Sequence, residues 1–262
     1  MTFTDFLKKV LGCKEQEYLE NYQNAQIEIT RLKEEPSIKK QFDDKYPKAD
    51  ISYSGRTLPN SNTMTNVPVT ILITPTDYQI KNDLKKWGLD KITNEDDLVK
   101  IYKKIKEFYK YSLDKNTWGK EEIWEFPFET RNKISTGVDC DSWAIFQASY
   151  YISAGFPNYK VRVTAGMCGV GGHATVYVYS EKDSKWHHLN STMGLMFDKL
   201  VDFPTHEDAE SKKDVMGIFD VWFSFNNEYA WHKFSTASAE KSFKKLQDKN
   251  LIVNGRRKKK FT

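Results

Sequence analysis

An α+β fold is predicted, with a helix that carries a candidate nucleophile packed on an antiparallel sheet. Three observations predict it. Helical periodicity dominates up to Pro157 and gives way to period-two alternation after it. A glycine turn at Gly137 leads into Cys140 at the first residue of an apolar helical run. The strand-like runs that follow include two joined by a four-residue polar connection, the pattern of an antiparallel meander.

The chain has 262 residues, enough for one large domain or a domain with an extension, and its 39% hydrophobic and 14% aromatic content supports a buried core. Its 40 basic residues are mixed with 36 acidic ones for a net charge of +4, which argues against a global nucleic-acid footprint. Three cysteines, Cys13, Cys140 and Cys168, are too few for a disulfide framework and fit a reducing compartment. The first residues lack a signal-peptide pattern, and the longest apolar run, 67–73, is too short to span a bilayer. The expectation is therefore no membrane span, and a cytoplasmic protein or one built into a virion assembled in the cytoplasm.

Residues 4–35 read as a helix with Pro36 as its end, free to pack on the main domain or on a partner chain. Residues 37–66 are turn-rich and read as a linker or a long surface loop. The extension is thus assigned to 1–66. The β-branched run 67–73 reads as one strand, with Pro68 arguing for an edge or a strand start. A short helix is expected over 76–87, ending near Gly88. A longer one is expected over 94–113, with Thr93 as N-cap and Asp96 three residues on. Its apolar face holds Leu98, Ile101, Tyr102, Ile105, Phe108, Tyr109 and Leu113; Lys103, Lys104, Lys106 and Lys110 read as the solvated face.

After the aromatic segment 118–131 comes the Cys140 helix, stopped by Gly155 before Pro157. Strands are expected over 159–165, 173–179, 185–190 and 217–225. Residues 236–252 read as a basic amphipathic helix, and 255–260 as a basic tail, either frayed or making a weak contact with an anionic surface. The core is placed at 67–235 and the C-terminal helix and tail at 236–262.

A thiol acts as a nucleophile only as thiolate, and a helix N-terminus favours that form, so Cys140 is placed for the role. By itself it reads more readily as a small buried packing residue, and the residues further along turn the balance. His173 opens a strand after Gly169, Gly171 and Gly172, whose lack of side chains allows close approach to the Cys140 helix. If residues 181–184 form a four-residue loop, Ser180 pairs with Lys185 and Thr175 lies opposite Asn190. His173 and Asn190 are then diagonal neighbours on one face, and the Asn190 oxygen can accept from the imidazole and fix its tautomer. A one-residue slip would point Asn190 away.

These residues resemble the transglutaminase-like superfamily of cysteine enzymes, in particular its bacterial and phage members. Residues 137–144, with Gly137, Cys140, Ser142 and Ala144, are similar to the Gly-x-x-Cys-x-[Asp/Ser]-x-Ala nucleophile motif. Gly172, His173 and Ala174 resemble the His strand, and Trp186 to Asn190 the strand that usually carries an Asp. Trp124, Pro127, Glu129 and Thr130 resemble the aromatic segment ahead of the Cys. The resemblance covers about residues 95–195.

It implies a papain-like α+β core and acyl transfer from an amide of a protein or peptide. Cys140 attacks, His173 hands a proton to the leaving amine, and a thioester is resolved by water or by another amine. Protease, deamidase and transglutaminase activities all stay open, and no cofactor is implied. Asn190 stands where most of the superfamily has Asp. The Cys140 backbone N–H is one oxyanion donor; an indole N–H of Trp118 or Trp124 is a candidate second, with core packing as the alternative for both rings.

A zinc site from Cys140, Cys168, His173, His187 and His188 is disfavoured, because adjacent His187 and His188 point to opposite sheet faces and no paired metal-ligand spacing occurs. Asp139 and Asp141 are expected to stabilise the turn and the helix start. The rival to an enzyme is a structural or partner-binding protein that keeps this scaffold.

Overall fold

In the computed structural model, the period-two segments after Pro157 become a five-stranded antiparallel sheet whose strands lie side by side in the order 185–189, 171–180, 161–168, 220–225 and 230–232. The described residues are 52–57, 64–120, 122–192 and 195–232. The expected helices at 4–35 and 236–252 and the basic tail lie outside them.

Two strands precede the helices. β1 (Ser52–Thr57) and β2 (Met64–Pro68) form an antiparallel hairpin, so part of the stretch read as a linker or loop is strand. The run expected as one strand over 67–73 is also corrected, because β2 stops at Pro68 and Val69–Leu72 is a 3₁₀ turn. Proline cannot donate to a ladder, and in a 3₁₀ turn positions i and i+3 fall on one side. Val69 and Leu72 are that pair, and both are buried.

Helix α1 (Tyr78–Trp87) begins where the Asp77 carboxylate accepts the N–H groups of Gln79 and Ile80, and ends at Gly88 with φ 67°. Helix α2 (Asp96–Phe108) buries Leu98, Ile101, Tyr102 and Ile105. It starts two residues later than expected and ends five earlier, at Phe108, with Leu113 preceding the next short helix. Asp97, not Asp96, accepts from the Thr93 N–H, the Thr93 hydroxyl and the Asn94 N–H, while Asp96 accepts from the Leu200 N–H and Lys182. Two short helices follow, α3 (Asp114–Thr117) and α4 (Pro127–Lys133), the second with Glu129 reaching back to the Phe126 N–H at 2.8 Å.

Helix α5 (Cys140–Ser153) is buried throughout from Asp141 to Tyr151. Its sequence is apolar on all sides, which suits a helix enclosed on every side. One side meets the sheet, made of β3 (Val161–Cys168), β4 (Gly171–Ser180), β5 (Lys185–Leu189), β6 (Asp220–Phe225) and β7 (Ala230–His232). Register explains the shared core. Val163 pairs with Val176 and Phe225, Ala165 with Ala174 and Phe223, and Val176 with Leu189. These residues project to the α5 side and join its core cluster.

The opposite face is polar and aromatic. Tyr177 stacks on His188 and meets His206, in helix α6 (His206–Glu210), edge-on. The Arg162 guanidinium lies 3.5 Å from the ring of Trp231 and 4.8 Å from that of Trp186. Among the described residues no helix is long and apolar enough to cross a membrane.

Candidate active site

The turn that delivers Cys140 is built by glycine. Gly137 has φ 96°, and a Cβ there would stand 2.7 Å from the Lys110 carbonyl oxygen, so both conformation and space require a bare backbone. The turn is held where Gly137 N–H donates to Lys133 O, Val138 N–H donates to Lys110 O, and Thr117 Oγ1 donates to Gly137 O. Asp139 is the extended N-cap residue and Cys140 the first helical one.

Sγ of Cys140 accepts the backbone N–H of Ala174. In an antiparallel strand alternate N–H groups point to opposite neighbours. The Ala174 group lies beyond the last β4–β5 pair, Val176 with Leu189, and the thiol meets it there. The nucleophile helix and the hairpin therefore come together one residue from His173.

The β4–β5 register is the one the loop length predicts: Ser180 pairs with Lys185 and Tyr177 with His188. His173 and Asn190 share a face, and Asn190 Nδ2 lies 3.0 Å from His173 Nε2. The atom is a correction. Asn190 Oδ1 does not face the ring; it accepts the Thr192 N–H at 3.0 Å and the Thr192 hydroxyl at 2.7 Å. His173 is buried and its pKa is pushed down to about 4 by desolvation and by His188, against the opposing influence of Asn190 and Asp214.

The thiol also departs from expectation. Burial pushes the Cys140 pKa well up, Asp139, Asp141 and Glu122 add to the rise, and the Ala174 N–H opposes it. A helix N-terminus contributes about 0.3–1 kcal/mol, less than one pKa unit, so it loses to this surrounding.

Five carboxyls gather here. Desolvation raises Asp114 to about 9 and Glu125 to about 7, and takes Glu122, Asp139 and Asp141 well above the carboxylate range. Asp141 hydrogen-bonds to both Glu122 and Asp139, which requires shared protons. The Asp139 carboxyl is set against the Ser142 N–H, the expected partner of an N-cap side chain, and that contact opposes the rise in its pKa.

Both indole candidates for the oxyanion are otherwise engaged. Trp118 Nε1 donates to Glu125, and Trp124 Nε1 donates to Glu122 at 2.9 Å. Trp124 is also stacked on Phe223. The backbone N–H of Cys140 stays in place as a donor at the helix start.

Several contributors escape a reading by sequence. Tyr102 donates to Asn190 O at 2.9 Å and to Leu195 O at 3.1 Å, Lys106 to Ser191 O at 2.6 Å, and Tyr109 to Thr192 O at 3.2 Å. Lys106, expected on the solvated face, instead ties down the turn after β5, and burial lowers its pKa. Asp114, Glu122 and Glu125 lie in or beside an aromatic segment, and charge among Trp118, Trp124 and Phe126 is the one signal that marked them.

His187 and His188 do face opposite ways. His187 bonds Phe203 O and Asp183, while His188 bonds Asp214 at 2.6 Å and Thr175 at 3.0 Å. Among the described residues no group of three or more His, Cys, Asp or Glu side chains is placed to hold a metal ion. Cys168 is buried and lines a cavity of about 570 Å³ with Met167, Gly172, Lys212, Asp214 and Phe219.

No family model and no curated protein matches the chain. Among solved structures the chain is similar to LapG of Legionella pneumophila. The likeness has 19% identity and a TM-score of 0.43, and covers 66% of this chain and 90% of that one. An EGTA-treated form of LapG gives the same identity and TM-score over 61% and 80%. A calcium-bound form gives 17% and 0.38 over 66% and 99%.

Proposed function

We propose that the chain is a cysteine-dependent enzyme that acts on amide bonds of a protein or peptide, on a papain-like scaffold of the transglutaminase-like kind. The observation that carries the reading is the meeting of Cys140 Sγ with β4 at Ala174, beside a His173 whose Nε2 is engaged by Asn190. Cys140 attacks the carbonyl carbon. The oxyanion that forms lies within reach of the unpaired N–H groups at the start of α5. His173 takes the thiol proton through Nδ1, the ring nitrogen that Asn190 leaves free, and returns it to the departing amine. A thioester remains, and water resolves it to an acid or an amine to a new amide. The expected cytoplasmic or virion location suits a free thiol nucleophile.

The test has two arms. In the first, casein is incubated with wild type, Cys140→Ala and His173→Ala, with and without an added alkylamine, and products are read by intact mass. Fragments, deamidation or amine incorporation that both variants abolish support the reading, and the type of product separates hydrolysis from crosslinking. In the second, p-nitrophenyl acetate is offered as an activated acyl donor. Acetylation of Cys140 no faster than that of Cys168, with no casein product in any arm, overturns the enzyme in favour of a partner-binding scaffold.

A further inference from the structure

Two donors fix which way the Asn190 amide faces. The Thr192 backbone N–H, whose direction the chain sets, lies 3.0 Å from Asn190 Oδ1. The Thr192 hydroxyl adds a second bond at 2.7 Å and stands 3.5 Å from His173 Nε2. A hydroxyl can reverse its role, but a backbone N–H cannot accept. Placing Nδ2 opposite that N–H would set two donors face to face. The amide nitrogen therefore points to His173 Nε2, at 3.0 Å. Since an amide nitrogen only donates, Nε2 must offer its lone pair, and the ring proton of the neutral imidazole sits on Nδ1.

We propose that Asn190, held by the Thr192 N–H, is a tautomer lock: it stores His173 as the Nδ1–H imidazole, and inversion of the amide is what arms the site. The consequence for activity rests on the Cys140–His173 reading above; the geometry of the lock does not. A ring protonated at Nδ1 has no lone pair there for the thiol proton, and its other nitrogen is occupied by the amide. Inversion lets Oδ1 accept from an Nε2–H and frees the Nδ1 lone pair. One proton leaves Nδ1 and one arrives at Nε2 through solvent, so the charge is unchanged.

The groups that face His173 do not undo the lock. From β5, His188 spends Nδ1 on Asp214 and Nε2 on Thr175. Asp214, from the segment before β6, is occupied by His188 and by the Met216 N–H.

The experiment reads the tautomer directly, without substrate. Long-range ¹H–¹⁵N correlation of the full-length chain, with His173→Gln for assignment, is expected to show His173 in wild type as the Nδ1–H form. Asn190→Asp presents an acceptor on both sides, so the Nε2–H form should replace it. Iodoacetamide should then alkylate Cys140 about tenfold faster near neutral pH. Asn190→Ala should give a mixture of tautomers. An Nε2–H ring in wild type, or Asn190→Asp with unchanged tautomer and unchanged alkylation while the other histidine signals stay in place, overturns the lock. Failure of the enzyme reading shows separately, as the absence of any Cys140-dependent product.

Discussion

Cys140 stands where a helix should make a thiol acidic, yet its surroundings keep the proton on sulfur. Desolvation is the largest cause, followed by Asp139 and Asp141. Burial raises those carboxyls too, so carboxylate and thiolate compete for whatever negative charge this pocket tolerates. Removing one carboxyl should therefore release the thiol. Asp139→Asn is expected to lower the Cys140 pKa and raise its rate of alkylation at about pH 8 by roughly tenfold, with Glu122→Gln acting in the same direction and Asp77→Asn, at the far N-cap of α1, without effect. Rates followed by intact mass across pH check it, and an Asp139→Asn profile superimposed on wild type would show that the carboxyls do not set the thiol. The sequence displays Asp139 and Asp141 beside the Cys, and capping is their ordinary role. What it cannot display is that Asp114, Glu122 and Glu125 fold back onto them, because that proximity comes from two short helices and a loop whose paths no local pattern dictates.

The helix α2 shows how an amphipathic face can serve a site it does not contain. Tyr102, Lys106 and Tyr109 follow one another at helical spacing and reach the carbonyls of Asn190, Ser191 and Thr192 in turn. That places the turn carrying the Asn190 lock under the control of an element some 80 residues earlier. Tyr102 is fully buried and its hydroxyl serves two carbonyls, and burial holds its pKa above the ordinary phenol value. Tyr102→Phe leaves both acceptors short of a donor, a cost of about 1–3 kcal/mol, or roughly 2–10 °C in a thermal melt of a chain this size. The expected kinetic signature is a fall in kcat with KM little changed, since the turn orients His173 without touching substrate. Periodicity made this helix legible, down to the buried face. The hydroxyl and ammonium partners were not legible, since a tyrosine in an apolar stripe reads as packing and a lysine beside it as solvent contact. The register of β4 and β5 was legible for the opposite reason: a four-residue connection leaves the pairing little freedom.

Stability against pH follows from the same buried groups, and the signs oppose one another. Asp114 at about 9 and Glu125 at about 7 lie above their ordinary values, with desolvation the leading cause. Between the unfolded and folded pKa values the native state binds more protons, so each group lowers stability as pH rises from about 4 toward its folded value. His173, pushed down to about 4, works the other way: its contribution is complete above about 6.5 and is lost as pH falls toward 4. Below about pH 6.5 the imidazole offsets part of the carboxyl effect. Above it the imidazole no longer changes, and the carboxyls act unopposed. The melting temperature should therefore fall between about pH 6.5 and pH 9, by roughly 5 °C or more. A double variant, Asp114→Asn with Glu125→Gln, removes two of the five raised carboxyls and should make that slope shallower, with Glu122, Asp139 and Asp141 supplying the remainder, while leaving the opposing effect of His173 below about pH 6.5. Calorimetry of both proteins over the range checks it, and a wild-type melting temperature that rises toward pH 9 would mean that these carboxyls are ionised in the folded chain.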